Sequence, residues 1–131
     1  MRTIFLGVFL LFASPFGFCQ KTGNDLLKEC AHAAAASDEW QQLHGTQNLD
    51  TAFCLGYIAG VRDAAMSYQA FDAGQKRETF VPFCGPKEGM EDGQTVRIVV
   101  KYLKDNPAKL HERAEWLVLD ALGDAFPCKT R

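Results

Sequence analysis

Neither sign of charge dominates this 131-residue chain: 14 Lys and Arg face 16 Asp and Glu, a formal net of −2 at pH 7. The charges are interspersed, so the clustered basic patch that marks a nucleic-acid partner is missing. Histidine is scarce. His32, His44 and His111 form no compact ligand set with the cysteines, and no cysteine pair has C-x-x-C spacing. These absences argue against a zinc site and against a thioredoxin-like motif. The chain also lacks G-x-S-x-G, H-E-x-x-H and any glycine-rich phosphate loop. No apolar run reaches the length of about 20 residues that crosses a bilayer.

What the chain does have begins at its amino end. Arg2 precedes an almost unbroken apolar run from Ile4 to Leu11, followed by the small residues Ala13 and Ser14 and then Pro15. This is the three-part layout of a secretory signal. Cleavage is expected after Cys19, with Gly17 and Cys19 at −3 and −1. Acylation of Cys19 is a weaker alternative, because Phe18 stands where a small residue is wanted. Residues 1–19 are therefore read as a signal peptide and 20–131 as one helical domain, exported to the periplasm and free of membrane after cleavage. Losing Arg2 moves the net charge to near −3.

Apolar periodicity predicts an all-α fold, one small domain of about four main helices arranged as two hairpins. The first helix starts at Asn24 as N-cap and runs to about Ala36, with Leu26, Leu27, Cys30, Ala31 and Ala34 recurring at helical spacing. A polar stretch follows, residues 37–50, long for a connection within one domain. The second helix is capped by Asp50 or Thr51 and stopped by Gly74 as a left-handed C′ residue. Its inward face is read as Cys54, Tyr57, Ile58, Val61, Ala65, Tyr68 and Phe71. Beside it Gly56, Gly60 and Ala64 form a shallow row into which another helix is expected to pack, within the fold or across a dimer. After a glycine- and proline-rich stretch with a short extended piece at 79–83, the third helix spans about Gly93 to Lys104. Asp92 is its cap, and Val96, Val99, Val100 and Leu103 point inward. Asn106 caps the fourth helix and Pro107 takes its first position. Leu110, Ala114, Leu117, Val118, Ala121, Leu122 and Ala125 form the fourth helix's stripe.

Removal of Cys19 leaves Cys30, Cys54, Cys84 and Cys128. An even number in a small exported protein argues for two disulfides. Cys30 closes the first helix and Cys54 opens the second; Cys84 precedes the third and Cys128 follows the fourth. Pairing within each hairpin is expected, Cys30–Cys54 and Cys84–Cys128, each worth about 3–4 kcal/mol in the loop-entropy model.

Little chemistry remains to assign. Cys54 reads as structural, since an activated thiolate needs a nearby base and Cys54 has a ready partner. Arg62 and Asp63 read as a solvated edge, and His111 as a surface residue. Trp116 reads as core-edge packing, whereas Trp40 in the first loop is the better interface anchor. No catalytic residue, metal or cofactor is assigned, and the chain is not expected to be an enzyme.

The stretches "GNDLLKEC", "CLGYIAGVRDA" and "FCGP…GQTVRIVVKYLKDNPAKLHERAEWLVLDALGDAFPC" occur in that order and contain all four cysteines. In these the chain resembles the Rap/Tai family of type VI secretion immunity proteins. A small departure is Glu91, where the family tends to place a capping threonine; Asp92 is expected to substitute. The resemblance implies a periplasmic, disulfide-bonded homodimer that inhibits a peptidoglycan amidase effector by plugging its cleft with a loop. The loop at 75–83 is the first candidate, with Gln75, Lys76, Arg77, Glu78 and Phe80 as contacts, and Trp40 in the 38–49 loop is the second. The alternative is a periplasmic binding or chaperone-like helical protein with no cognate toxin; a thiol-based enzyme is a third class.

Overall fold

A computed structural model describes residues 20–35, 46–75 and 82–128. Among them are five α-helices and one 3-10 turn: α1 (Gly23–Glu29), α2 (Ala31–Ala35), α3 (Thr46–Gly74), α4 (Asp92–Asp105), the turn Pro107–Lys109, and α5 (Ala114–Ala125). The chain is all-α, as the periodicity predicts, and the described residues contain no β-strand. The expected extended piece at 79–83 lies outside them except for Pro82 and Phe83.

The first helix starts two residues earlier than expected. Thr22, not Asn24, is the N-cap, and it forms a reciprocal capping box with Asp25. Two hydrogen bonds from Thr22 to the Asp25 carboxylate, the backbone one foremost, hold that acid below its ordinary range. Asn24 is instead a long-range tie: its amide Nδ2 donates to the carbonyl of Leu110 at 3.1 Å. The expected single helix to Ala36 is interrupted at Cys30, where φ −85° and ψ −2° depart from helical values.

The predicted fourth helix also splits, for a reason visible in its hydrogen bonds. The carbonyls of Leu110 and Glu112 accept from the backbone N–H groups of Asn24 and Gly23, and Ala114 donates to the carbonyl of Lys21. Those N–H groups at the start of α1 have no partner within their own helix. The bend between the 3-10 turn and α5 supplies one. Gly23 sits so close to this bend that a Cβ would collide with the side chain of Leu117 and lie 3.1 Å from the backbone of Leu110.

The core gathers Leu26, Cys30, Cys54, Ile58, Phe83, Val96, Val99, Leu103, Leu117, Val118 and Leu122. Each large apolar side chain buried here contributes roughly 1.5–3 kcal/mol relative to exposure. The inward residues predicted for α4 are all buried, as are Ala114, Leu117, Val118, Ala121 and Leu122 of α5. Leu110, in the bend before α5, is half-buried, and Ala125, the last residue of α5, is exposed. Helix α3 packs on α1, α2, α4 and α5. The disulfides are Cys30–Cys54 and Cys84–Cys128, the pairing expected from the helix ends.

Several expectations for α3 and α4 are corrected. Helix α3 begins at Thr46, ahead of Asp50 and Thr51, and Thr51 is buried within it. Gly74 is its last helical residue, but its backbone is not left-handed; Gly89, with φ 90°, is the glycine among those described that is. Tyr68 and Phe71 point to solvent, 60% and 61% exposed. Arg62 is buried rather than solvated. It donates from Nε to Asp63 at 2.8 Å and from Nη1 to Thr95 at 3.2 Å and the Met90 carbonyl at 3.3 Å, and it pairs with Asp92 at 2.8 Å. The Asp63 and Asp92 carboxylates strengthen its hold on the proton against the opposing effect of burial. Asp92 is the first residue of α4, not its cap. Glu91 is the N-cap and makes no side-chain capping bond, so Arg62 and the Thr95 hydroxyl, which donates to the Glu91 carbonyl at 2.9 Å, order this end.

Candidate partner-binding surfaces

Two surfaces stand on this scaffold. The first is the segment between α3 and α4 that was expected to enter a partner. Gln75 is exposed and leaves α3 with its N–H donated to the carbonyls of Phe71 and Asp72. Lys76, Arg77, Glu78 and Phe80 lie outside the described residues, as does Trp40. The segment's other end is held by four separate features. Phe83 is fully buried. Its carbonyl accepts from Gln69 Nε2 at 3.3 Å. Cys84 donates its N–H to Phe126 at 2.8 Å and is disulfide-bonded to Cys128. The Pro82 carbonyl oxygen lies 2.8 Å from where a Cβ on Gly123 would stand. Only a residue without a side chain lets the chain lie so close to α5. Neither Gln69 nor Gly123 is marked by any sequence motif; both emerge from packing.

The second surface is the outward side of α3, whose row of small residues the sequence marked but whose exposed Leu49 and Phe53 it did not. Leu49 is 60% and Phe53 57% exposed. A Cβ added at Gly56 or at Gly60 would meet nothing within 4 Å. The row of small residues is therefore open, and no described helix packs into it. Leu49, Ala52, Phe53, Gly56 and Tyr57 line a shallow, almost wholly apolar hollow of about 370 Å³. Lys21 lies beside two of these residues, its ammonium 5.8 Å from the Phe53 ring centre and 5.3 Å from that of Tyr57. It also pairs with Glu29.

Tyr57 marks the boundary between this surface and the core. Its hydroxyl donates to Glu115 at 3.3 Å. Partial burial, with the adjacent Glu115 charge second, pushes the phenol up to about 12. Burial acts to raise Glu115, but hydrogen bonds from its own backbone, from Arg113 and from Tyr57 outweigh it and hold the carboxyl below its ordinary value. Trp116 stands on α5 with 53% of its surface exposed, so it is not core-edge packing. His111 is exposed, as expected.

No cluster of His, Cys, Asp and Glu among the described residues is arranged to hold a metal ion. All four described cysteines are in disulfides, which leaves a thiol-based reaction no thiolate among them. No helix of the described residues is long and apolar enough to cross a membrane.

This helical, doubly disulfide-bonded chain matches the family model of the Rap1a immunity proteins over residues 22–128. The chain belongs to the Rap1a immunity protein family. Membership makes it an immunity protein directed against a secreted effector, in a family that is generally non-enzymatic. The matched span runs from the cap of α1 to the last cysteine and so contains both disulfides. Neither the curated proteins nor the solved structures yielded a match.

Proposed function

We propose that this immunity protein acts in the periplasm, where it binds a peptidoglycan amidase delivered by a type VI secretion system and occludes its cleft. It protects the producing cell and its siblings in this way, and it acts as a homodimer. The observation that carries the reading is the family match across residues 22–128. Two disulfides suit an oxidising compartment, and the apolar leader at 1–19 supplies the route there.

The segment from Gln75 to Phe80 enters the effector, with Trp40 contributing from the first loop. Inhibition of this kind requires no chemistry from the inhibitor, only a surface that fits and stays in place. The anchorage of Pro82, Phe83 and Cys84 supports the assignment, because an ordered base lowers the entropy lost when the segment docks.

The test is to mix the processed protein with candidate amidases and follow both co-purification and peptidoglycan cleavage. A stable complex that abolishes cleavage, and that weakens on replacing Arg77 and Phe80 with alanine, is expected. If no amidase or other effector is retained, the chaperone-like alternative replaces this reading.

A further inference from the structure

We propose that the outward face of α3 pairs with the same face of a second copy, antiparallel, about a two-fold axis beside Gly60. The inference rests on the homodimer in the preceding reading and assigns it an interface. Leu49, Phe53 and Phe71 are each more than half exposed on one side of a single helix. They share that side with Gly56, Gly60, Ala64 and Ser67, all exposed.

The order of these residues matches a two-fold. Positions 49, 53, 56, 60, 64, 67 and 71 advance by steps of 4, 3, 4, 4, 3 and 4, which read the same from either end. Antiparallel pairing centred on Gly60 sets Leu49 of one copy level with Phe71 of the other. Phe53 falls level with Ser67, and Gly56 with Ala64. Small residues meet small ones at the crossing, where backbones must approach, and large apolar residues close over both ends. An interface between identical patches has to be complementary to itself in this way.

Charge agrees with the pairing. The seven positions carry none. The nearest charges are Lys21, which lies 5.8 Å from the Phe53 ring centre and is paired with Glu29, Asp63, which shares the Arg62 guanidinium with Asp92, and Arg62 itself, which is buried on the opposite side. A second copy therefore brings no unpaired like charges together. From Leu49 to Phe71 the strip runs about 33 Å at 1.5 Å per residue. With three large side chains leaving on the order of 100 Å² each and the small residues adding a similar total, about 600 Å² per copy is available. Twice that, about 1,200 Å², meets the lower bound for a specific interface. The hollow beside Phe53 and Tyr57 gives the opposing Phe71 a place to settle.

The test uses the processed protein and a Gly60→Arg variant, compared by sedimentation and light scattering, with amidase inhibition assayed alongside. The backbone at Gly60 is open and helical, so arginine leaves the fold intact, checked by unchanged helical circular dichroism and melting in dilute solution. Dimeric wild type and a variant whose dimer is at least about 100-fold weaker are expected, because two charges then face each other at the axis. Oxidised Gly60→Cys is expected to cross-link to itself, whereas Ser67→Cys, far from its own symmetry mate, is not. A Gly60→Arg protein that dimerises as wild type does overturns the interface and leaves the homodimer standing. A wild type that is monomeric at about 100 μM, well above micromolar affinity, overturns both. If that monomer loses amidase binding on Gly60→Arg, the face belongs to the effector instead. A dimer through Gly60 that inhibits no amidase supports the interface and removes the functional reading.

Discussion

The two sides of α3 are built from similar residues and meet opposite surroundings. Inward lie Thr51, Cys54, Ile58 and Arg62, all at least nine-tenths buried; outward lie Leu49, Phe53 and Phe71, all more than half exposed. The charged member of the pair of faces, Arg62, is on the buried side. Arg62 is tolerated there because its guanidinium finds Asp63, Asp92, the Thr95 hydroxyl and the Met90 carbonyl, and a buried charge is costly only when unpaired. The outer side has no such demands within the chain. Burial in this helix follows from which neighbours are available, not from how apolar the side chains are.

The comparison can be broken most severely from inside. Replacing Cys30 and Cys54 together by serine removes the inner staple and is expected to cost about 2–5 kcal/mol, measured by urea unfolding without reductant. Next is the contrast between Ile58→Ala and Leu49→Ala. The buried site is expected to lose about 2–5 kcal/mol and the exposed one less than about 0.5 kcal/mol in dilute solution. Equal losses would mean that the outer face is covered within a single chain.

Glycines sharpen the same contrast. Gly123→Ala pushes a Cβ against the Pro82 carbonyl, and about 1–3 kcal/mol of destabilisation is expected. Gly56→Ala, on the open face, is expected to raise the stability of the monomer by about 0.5–1 kcal/mol through helix propensity. Thermal melts of both variants in dilute solution check the opposite signs.

The smallest effect belongs to Tyr57, at the seam between the faces. Its phenol titrates near 10 when unfolded and is pushed up to about 12 in the fold. The folded state then holds a proton that the unfolded chain gives up, so this stability is fully present below pH 10. It falls as pH rises from 10 through 12. Tyr57→Phe is expected to flatten that alkaline limb in a pH series of melting temperatures.

Helices α4 and α5 were legible because each has one apolar side. Val96, Val99, Val100 and Leu103, then Leu117, Val118, Ala121 and Leu122, are buried as their spacing predicts. The disulfide pairing was legible too, although Cys54 lies two turns inside α3 and not at its start. Helix α3 was not. It is apolar on more than one side, so Tyr68 and Phe71 counted toward a face that in space turns to solvent, and Arg62 looked like an edge. The start of α1 was misplaced although its capping box, Thr22 with Asp25, is local. The break before α5 was missed because the carbonyls of Leu110 and Glu112 and the N–H of Ala114 find partners 86 to 93 residues away, beyond the reach of a local pattern. Of the expected partner contacts, Gln75 alone falls among the described residues. Gln69 and Gly123, which fix the far end of its segment, became visible only through packing.

That distant tie at the amino end has a temporal side. In a chain made from its amino end, the bonds of Gly23, Asn24 and Lys21 to residues 110–114 can form only after those residues arrive. Its contact order is high for a helical protein at this one place, and closing so large a loop is slow compared with winding a helix. The docking of α1 onto the rest of the fold therefore waits until nearly the whole polypeptide is present, whereas its own winding does not.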